Sequence, residues 1–215
     1  MVYIGILEQS RYINSGFTEQ IILFLSGNSY NDLSPFQHSV NIVGSVPLRN
    51  GGYNITQPAS NYLEIPNHPE FLFGSNYFKI QFELYASRSI YNINIVNLYG
   101  NSENSYATRL FGSSLNFIYS SSGASGSSTS QTISNNNYLN SFQTIQIERL
   151  PSPTRPTQFD AILFSYNNSS IGFREIGKNV SFFNSTQPLT IGRNQLGNNF
   201  TEDYTLRNIQ ISRYI

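Results

Sequence analysis

The sequence predicts an all-β fold, a two-sheet antiparallel jelly-roll sandwich, and three observations carry that prediction. Apolar and polar residues alternate over several segments of strand length, the pattern of strands with one face buried. No window of ten or more residues carries the i, i+3, i+4, i+7 apolar stripe and caps of a helix. Glycine breaks at Gly27, Gly51-Gly52, Gly100, Gly112, Gly172 and Gly197 recur at strand-length intervals, as they do where many short strands are joined by turns.

Taken in chain order, Ile21–Leu25 (IILFL) is a continuous apolar run and is expected as an inner strand covered on both faces. The stretch NYLEIPNHPEFLFGSNYFKIQFELYAS (Asn61–Ser87) holds a strand, a turn clamped by Pro66 and Pro69, and a second strand. In that second strand Phe78, Ile80, Phe82 and Leu84 share one face, and Lys79, Gln81, Glu83 and Tyr85 the other. Leu115, Phe117 and Tyr119 repeat the alternation in LNFIY. The Ser/Gly tract Ser120–Ser130, continuing into ISNNNY, reads by composition as a polar loop within a long hairpin.

Ile145 and Ile147 point inward in TIQIE. Arg149–Asp160 contains Pro151, Pro153 and Pro156, which keep it out of a central strand, so it reads as a loop. Ala161–Tyr166 (AILFSY) is a second buried run. In the closing YTLRNIQISRYI, Leu206 stands on one parity and Ile209 and Ile211 on the other. That slip of one residue predicts a bulge or bend near Arg207–Asn208.

Composition narrows the function classes. A chain of 215 residues fits one sandwich domain. Its formal net charge is zero, which gives no electrostatic footprint for nucleic acid. Only 11% of residues are charged, and 27 Asn and 31 Ser keep the surface wet; such a neutral, amide-rich surface favours packing in an assembly. Cysteine is absent, which removes disulfides, thiolate metal sites and a cysteine nucleophile. No apolar run reaches the ~18 residues of a membrane span, so no membrane insertion is expected. MVYIGILEQSRYINSG lacks a basic n-region, and the expectation is folding in a cytoplasm.

Candidate sites are few. His38 and His68 are far apart and lack the spacing of a metal motif. Asn28, Asn31 and Asp32 in GNSYNDLS supply hard oxygens and are the calcium candidates; otherwise no metal and no cofactor is expected. Gly123–Ser127 (GASGS) fails the nucleophile-elbow pattern at its last position. Glu83 and Glu148 each stand alone on their strands, so the paired carboxylates of a glycoside hydrolase are missing. The expectation is a protein that is not an enzyme. Loops on a rigid scaffold usually carry recognition, which makes Asn135, Asn136, Asn137, Tyr138 and Arg155 the candidate ligand contacts.

The ordered motifs resemble laminin-G-like domains of the concanavalin A-like lectin/glucanase class. Tyr62, Leu63, Ile65, Pro66, Phe71, Phe73, Gly74, Phe78, Ile80 and Glu83 fill or neighbour the places of that class's strand–turn–strand segment. Asp32, Ser34 and His38 resemble its Asp-Ser-Ser-x-x-x-His turn. Phe142 in SFQTIQIER stands for its tryptophan, and Asn168 occupies the glycine place of its hairpin. The resemblance runs from Gln20 to Ile215, which divides the chain into an N-terminal arm, 1–19, and a jelly-roll domain, 20–215. Domains of this kind are common in bacteriophage structural genes. The resemblance therefore implies a virion surface protein of tail, fibre or capsid, made in the host cytoplasm. It would pack as a homo-oligomer with other virion proteins and touch host glycan, its arm docking on a neighbour. The alternative is an extracellular, lectin-like carbohydrate-binding module of cellular origin.

Overall fold

The computed structural model describes residues 16–56, 58, 60–88, 93–99, 103–111, 114–124, 127–132, 139–193 and 203–215. In chain order the strands are β1 (Glu19–Leu25), β2 (Asn41–Val43), β3 (Leu48–Arg49), β4 (Gly52–Thr56) and β5 (Tyr62–Ile65). There follow β6 (Phe78–Ala86), β7 (Ile93–Tyr99), β8 (Asn104–Phe111), β9 (Ser114–Tyr119) and β10 (Ser127–Thr132). The last five are β11 (Gln143–Pro151), β12 (Phe159–Tyr166), β13 (Ser169–Gly177), β14 (Leu189–Ile191) and β15 (Asp203–Tyr214). One sheet runs β13-β12-β11-β6-β15-β4-β3, with β1 also on β15; the other runs β10-β9-β8-β7-β14-β5-β2. Every named ladder is antiparallel.

The all-β two-sheet sandwich expected from the alternation is the observed fold. Phe78, Ile80, Phe82 and Leu84 of β6 are fully buried, while the residues between them lie half-buried on the outer face. Strand β6 is central because both its edges are paired, with β11 and with β15. Between the sheets a stack of rings fills one end of the core. The Phe73 ring lies 4.2 Å from Phe78 and 4.7 Å from Tyr106, and Phe182 lies 5.8 Å from both Phe78 and Phe117. Burying each such ring contributes ~2 kcal/mol or more. The corner at Pro66–Pro69 carries the chain from β5 in one sheet to β6 in the other.

The bulge expected in the last strand is present: the β15–β6 register shifts between Arg207 and Gln210, and Asn208 has φ 49°. Four readings are corrected. Strand β1 is not covered on both faces: it lies outside the main strand path, Ile21 is 37% exposed, and its register shifts between Ile21 and Leu23. Gly172 does not break a strand; it lies within β13, next to a bulge in which Ile171 is the extra residue opposite Phe164–Ser165.

The tract Ser120–Ser130 is only partly loop, because Ser127–Thr132 pairs with β9. Backbone pairing there outweighs a composition that disfavours strands. Arg149, Leu150 and Pro151 belong to β11, and Phe159 and Asp160 to β12, so only 152–158 connect them. Pro151 closes the strand's end rather than excluding the strand. Ahead of β1, the Phe17 ring meets Tyr77 edge-on at 5.2 Å, and Thr18 exchanges backbone hydrogen bonds with Ile215.

Candidate functional site

The turn that holds the calcium candidate Asp32 locks a strand edge. Phe24 N–H donates to Asp32 Oδ1 at 2.9 Å, Leu33 N–H donates to Phe24 O at 2.9 Å, and the Ser34 hydroxyl donates to Ile22 O at 2.8 Å. These bonds close the side of β1 that faces away from β15, satisfying groups that would otherwise template pairing with another chain. Asp32 also accepts from Ser34 N–H at 2.8 Å and His38 N–H at 2.9 Å, and its Oδ2 lies 2.8 Å from His38 Nδ1. Burial works against its ionisation, but the amides of Phe24, Ser34 and His38 and the His38 ring outweigh it and hold the carboxyl below its ordinary value. The Asp32 side chain is fully buried, whereas Asn28 and Asn31 are exposed. No cluster of three or more metal-ligating side chains occurs among the described residues.

His68, in the corner turn, is exposed and caps a short 3-10 turn, its Nδ1 accepting from Glu70 N–H at 3.4 Å. His38 lies beside it, ring to ring at 5.0 Å, packed also on Phe71 at 4.7 Å. Sequence spacing gave no sign of this meeting.

The ligand candidates divide. Asn135, Asn136, Asn137 and Tyr138 lie outside the described residues. Their flanks do not: Thr132 pairs with Ser114, and Leu139 bridges Ala86 at the end of β6. Arg155 follows Pro151, beyond the Arg149–Phe78 pair at the opposite end of the sandwich. Arg155 is also engaged by its own chain: it pairs with Glu175, and its guanidinium lies 4.2 Å from the Phe159 ring.

The carboxylates are engaged structurally in the same way. Asp160 binds Arg149 at 2.7 Å and Lys178 at 3.1 Å; Glu83 accepts from Arg207 and Asn208, each at 2.7 Å. Glu148 accepts from the Tyr214 hydroxyl, and Glu103 accepts from Thr186 N–H at 2.7 Å. The carboxyls displaced from their ordinary values (Asp32, Glu103, Asp160 and Glu175) are all displaced downward. A glycosidase's general acid requires the opposite displacement.

A concave feature lies on the outer face of the larger sheet. Across β4, β15 and β6, register aligns Asn54, Thr205 and Tyr85, and Phe142 packs on Tyr85 at 5.5 Å. Beside them Arg207 pairs with Glu83 of β6, and Arg49 pairs with Gly52 of β4. The turn joining β3 to β4 places Asn50 at φ 53° and Gly51 at φ 69°, the left-handed pair of a tight hairpin. That turn holds Arg49 at the rim of a cleft of about 190 Å³, lined also by Asn50, Asn54, Tyr85, Ser87 and Asp203. Asp203 accepts from Asn54 Nδ2 at 2.7 Å. The Arg207 guanidinium sits 3.7 Å from the Phe142 ring and braces the neighbouring wall. This site was missed from sequence because its residues span 49 to 205; the Asn50-Gly51 turn was its one local signal.

The class these features define is an all-β jelly-roll sandwich of lectin-like architecture, with a polar, aromatic-walled cleft. Solved structures of that architecture resemble it across most of its length. The receptor-binding domain of the botulinum neurotoxin C/D mosaic serotype is 13% identical, with 89% of this chain and 47% of that chain covered at a TM-score of 0.68. Botulinum neurotoxin type C, whose cell entry is described as dependent upon interaction with two ganglioside molecules, is 15% identical, covering 89% and 47% at 0.67. The binding domain of botulinum neurotoxin DC, solved in complex with rat synaptotagmin II, is 15% identical, covering 89% and 48% at 0.67. At such identity the likeness establishes the fold alone, and this chain spans about half the length of each of those chains. No protein-family model and no curated protein matches the sequence.

Proposed function

We propose that this chain is a non-enzymatic binding module, the surface or structural protein of a bacteriophage virion, packing on tail, fibre or capsid as a homo-oligomer and touching host glycan. The observation that carries the non-enzymatic part is the state of its carboxylates. Those displaced from their ordinary values are displaced toward ionisation and are held by the chain's own donors. The neutral, amide-rich surface supports the packing part. The resemblance of the ordered motifs to laminin-G-like domains of phage structural genes supports the virion assignment. The similar solved structures are receptor-binding domains, and the partners named for them, gangliosides and synaptotagmin, support recognition of glycan or protein. Those same structures favour a second reading, an extracellular carbohydrate-binding module of cellular origin.

The test is incubation of the full chain with a panel of bacterial surface polysaccharides, measuring retention and the mass of the recovered glycan. Retention of intact glycan supports the reading. Shortened products that accumulate with the chain's concentration would overturn it.

A further inference from the structure

We propose that the cleft between the β3–β4 turn and the outer face of β6 and β15 is a carbohydrate subsite that takes the terminal ring of a neutral saccharide. The inference rests on the recognition role proposed above and gives its glycan contact a place in the fold. Size is the first argument. The cleft's volume of about 190 Å³ lies below the roughly 300–1,000 Å³ of sites for drug-sized ligands. It suits one sugar ring and not an extended chain.

Charge is the second argument. The rim carries one formal positive charge, Arg49, and one formal negative charge, Asp203. Their formal charges cancel, so the rim offers no net electrostatic attraction to an anionic or an amino sugar, and what it supplies is hydrogen bonding suited to a neutral ring. Arg49 is exposed, and its guanidinium has no hydrogen bond or ion pair to the described residues. Its five donors are available to ring and hydroxyl oxygens. Asp203 spends Oδ1 on the Asn54 amide, and among the described residues Oδ2 and the Asn54 carbonyl oxygen have no donor and remain acceptors for sugar hydroxyls.

The third argument is the wall. Tyr85 is half-buried and held from behind by Phe142, itself braced by Arg207. An aromatic ring fixed in this way presents an apolar body to the C–H face of a pyranose while its hydroxyl stays wet. The parts are also preorganised: Asn54, Thr205 and Tyr85 sit on three hydrogen-bonded strands, and Arg49 precedes a two-residue hairpin turn. Rigid placement lowers the ordering cost of binding a small ligand.

Saturation-transfer NMR on the full chain with glucose, galactose, mannose and N-acetylglucosamine tests the proposal, with N-acetylneuraminic acid as the acidic comparison. One or more neutral sugars is expected to bind with Kd on the order of 1 mM, and the acidic sugar no tighter. Tyr85→Ala and Asp203→Ala, both on the outer face and each checked by thermal unfolding, should weaken that binding at least tenfold. Arg155→Ala, at the other end, should not.

Absence of binding by every neutral sugar up to about fifty times that Kd would overturn the subsite. So would binding that survives both variants; it would place the glycan contact elsewhere and leave the recognition role standing. Failure of that role itself has a different signature: no intact surface polysaccharide is retained by the wild-type chain at all.

Discussion

Replacing Asp160 with alanine would leave a guanidinium charge stranded in the core. The Arg149 side chain is fully buried, and its Nη2 donates to Asp160 Oδ2 at 2.7 Å while Nη1 donates to Gly74 O at 3.2 Å. Lys178 reaches Asp160 Oδ1 at 3.1 Å, and Asn179 N–H donates to Oδ2 at 3.2 Å. Breaking such a pair from one side costs ~3–5 kcal/mol, because the remaining charge keeps its desolvation penalty. With about 4 kcal/mol lost and a urea m-value of about 2–3 kcal/mol per molar, the midpoint should fall by roughly 1.3–2 M. The matching fall in Tm is about 8–16 °C.

Burial opposes ionisation of Asp160, yet the hydrogen bonds and charges of Arg149 and Lys178 prevail and hold its carboxyl below the ordinary value. A carboxyl depressed in the fold contributes its stability above the unfolded pKa of ~3.9 and loses it as pH falls through the folded value. The gap between wild type and Asp160→Ala should therefore be full at pH 6 and shrink below about pH 4. Adding Arg149→Met to Asp160→Ala should recover at least ~1 kcal/mol of the loss, since no buried charge then remains. Urea unfolding of the three proteins decides the matter. A single-variant loss under about 1 kcal/mol, or a double variant no more stable than Asp160→Ala, would refute the reasoning.

Three further outcomes are expected. Asp32→Ala should cost ~2–4 kcal/mol in denaturant unfolding by opening the edge of β1, whereas about 1 mM calcium should leave the wild-type Tm unchanged. Asn167 and Asn168 adopt φ 49° and 61° in the β12–β13 hairpin. Asn168→Gly should hold or slightly raise stability there, and Asn168→Val should lower it by ~1–2 kcal/mol, as measured by thermal unfolding. The Glu175 carboxyl is held down to about 2, by hydrogen bonds from Arg155 and then Ser152. Arg155→Ala should return its titration toward the ordinary carboxylate range, as followed by NMR across pH 2–6.

The parts of this fold legible in sequence are those written in short-range order. The parity of Phe78, Ile80, Phe82 and Leu84 specifies the buried face of β6, and the one-residue slip after Leu206 specifies the bulge in β15, because strand periodicity allows only these placements. The hairpin at Asn167-Asn168 was equally readable, since asparagine tolerates the left-handed conformation that both turn positions need. Partners brought together by topology left no such trace. Arg149 and Asp160 bracket a proline-rich stretch that reads as loop, although they meet as neighbouring strands of a hairpin. Asp32 reads in sequence as a lone carboxylate among amides, and only the contacts of Asp32 with Phe24 and of Ser34 with Ile22 reveal an edge lock. The cleft joins Arg49, Tyr85 and Asp203 through three ladders, so no window of sequence contains it.

The most direct test of the account is the solution mass of the full chain beside a chain lacking residues 1–15, a cut that spares the Phe17–Tyr77 and Thr18–Ile215 contacts. The proposed packing role predicts a discrete symmetric oligomer for the full chain that falls to monomer without the arm. A monomer in both forms, at concentrations where the fold is intact, would contradict it.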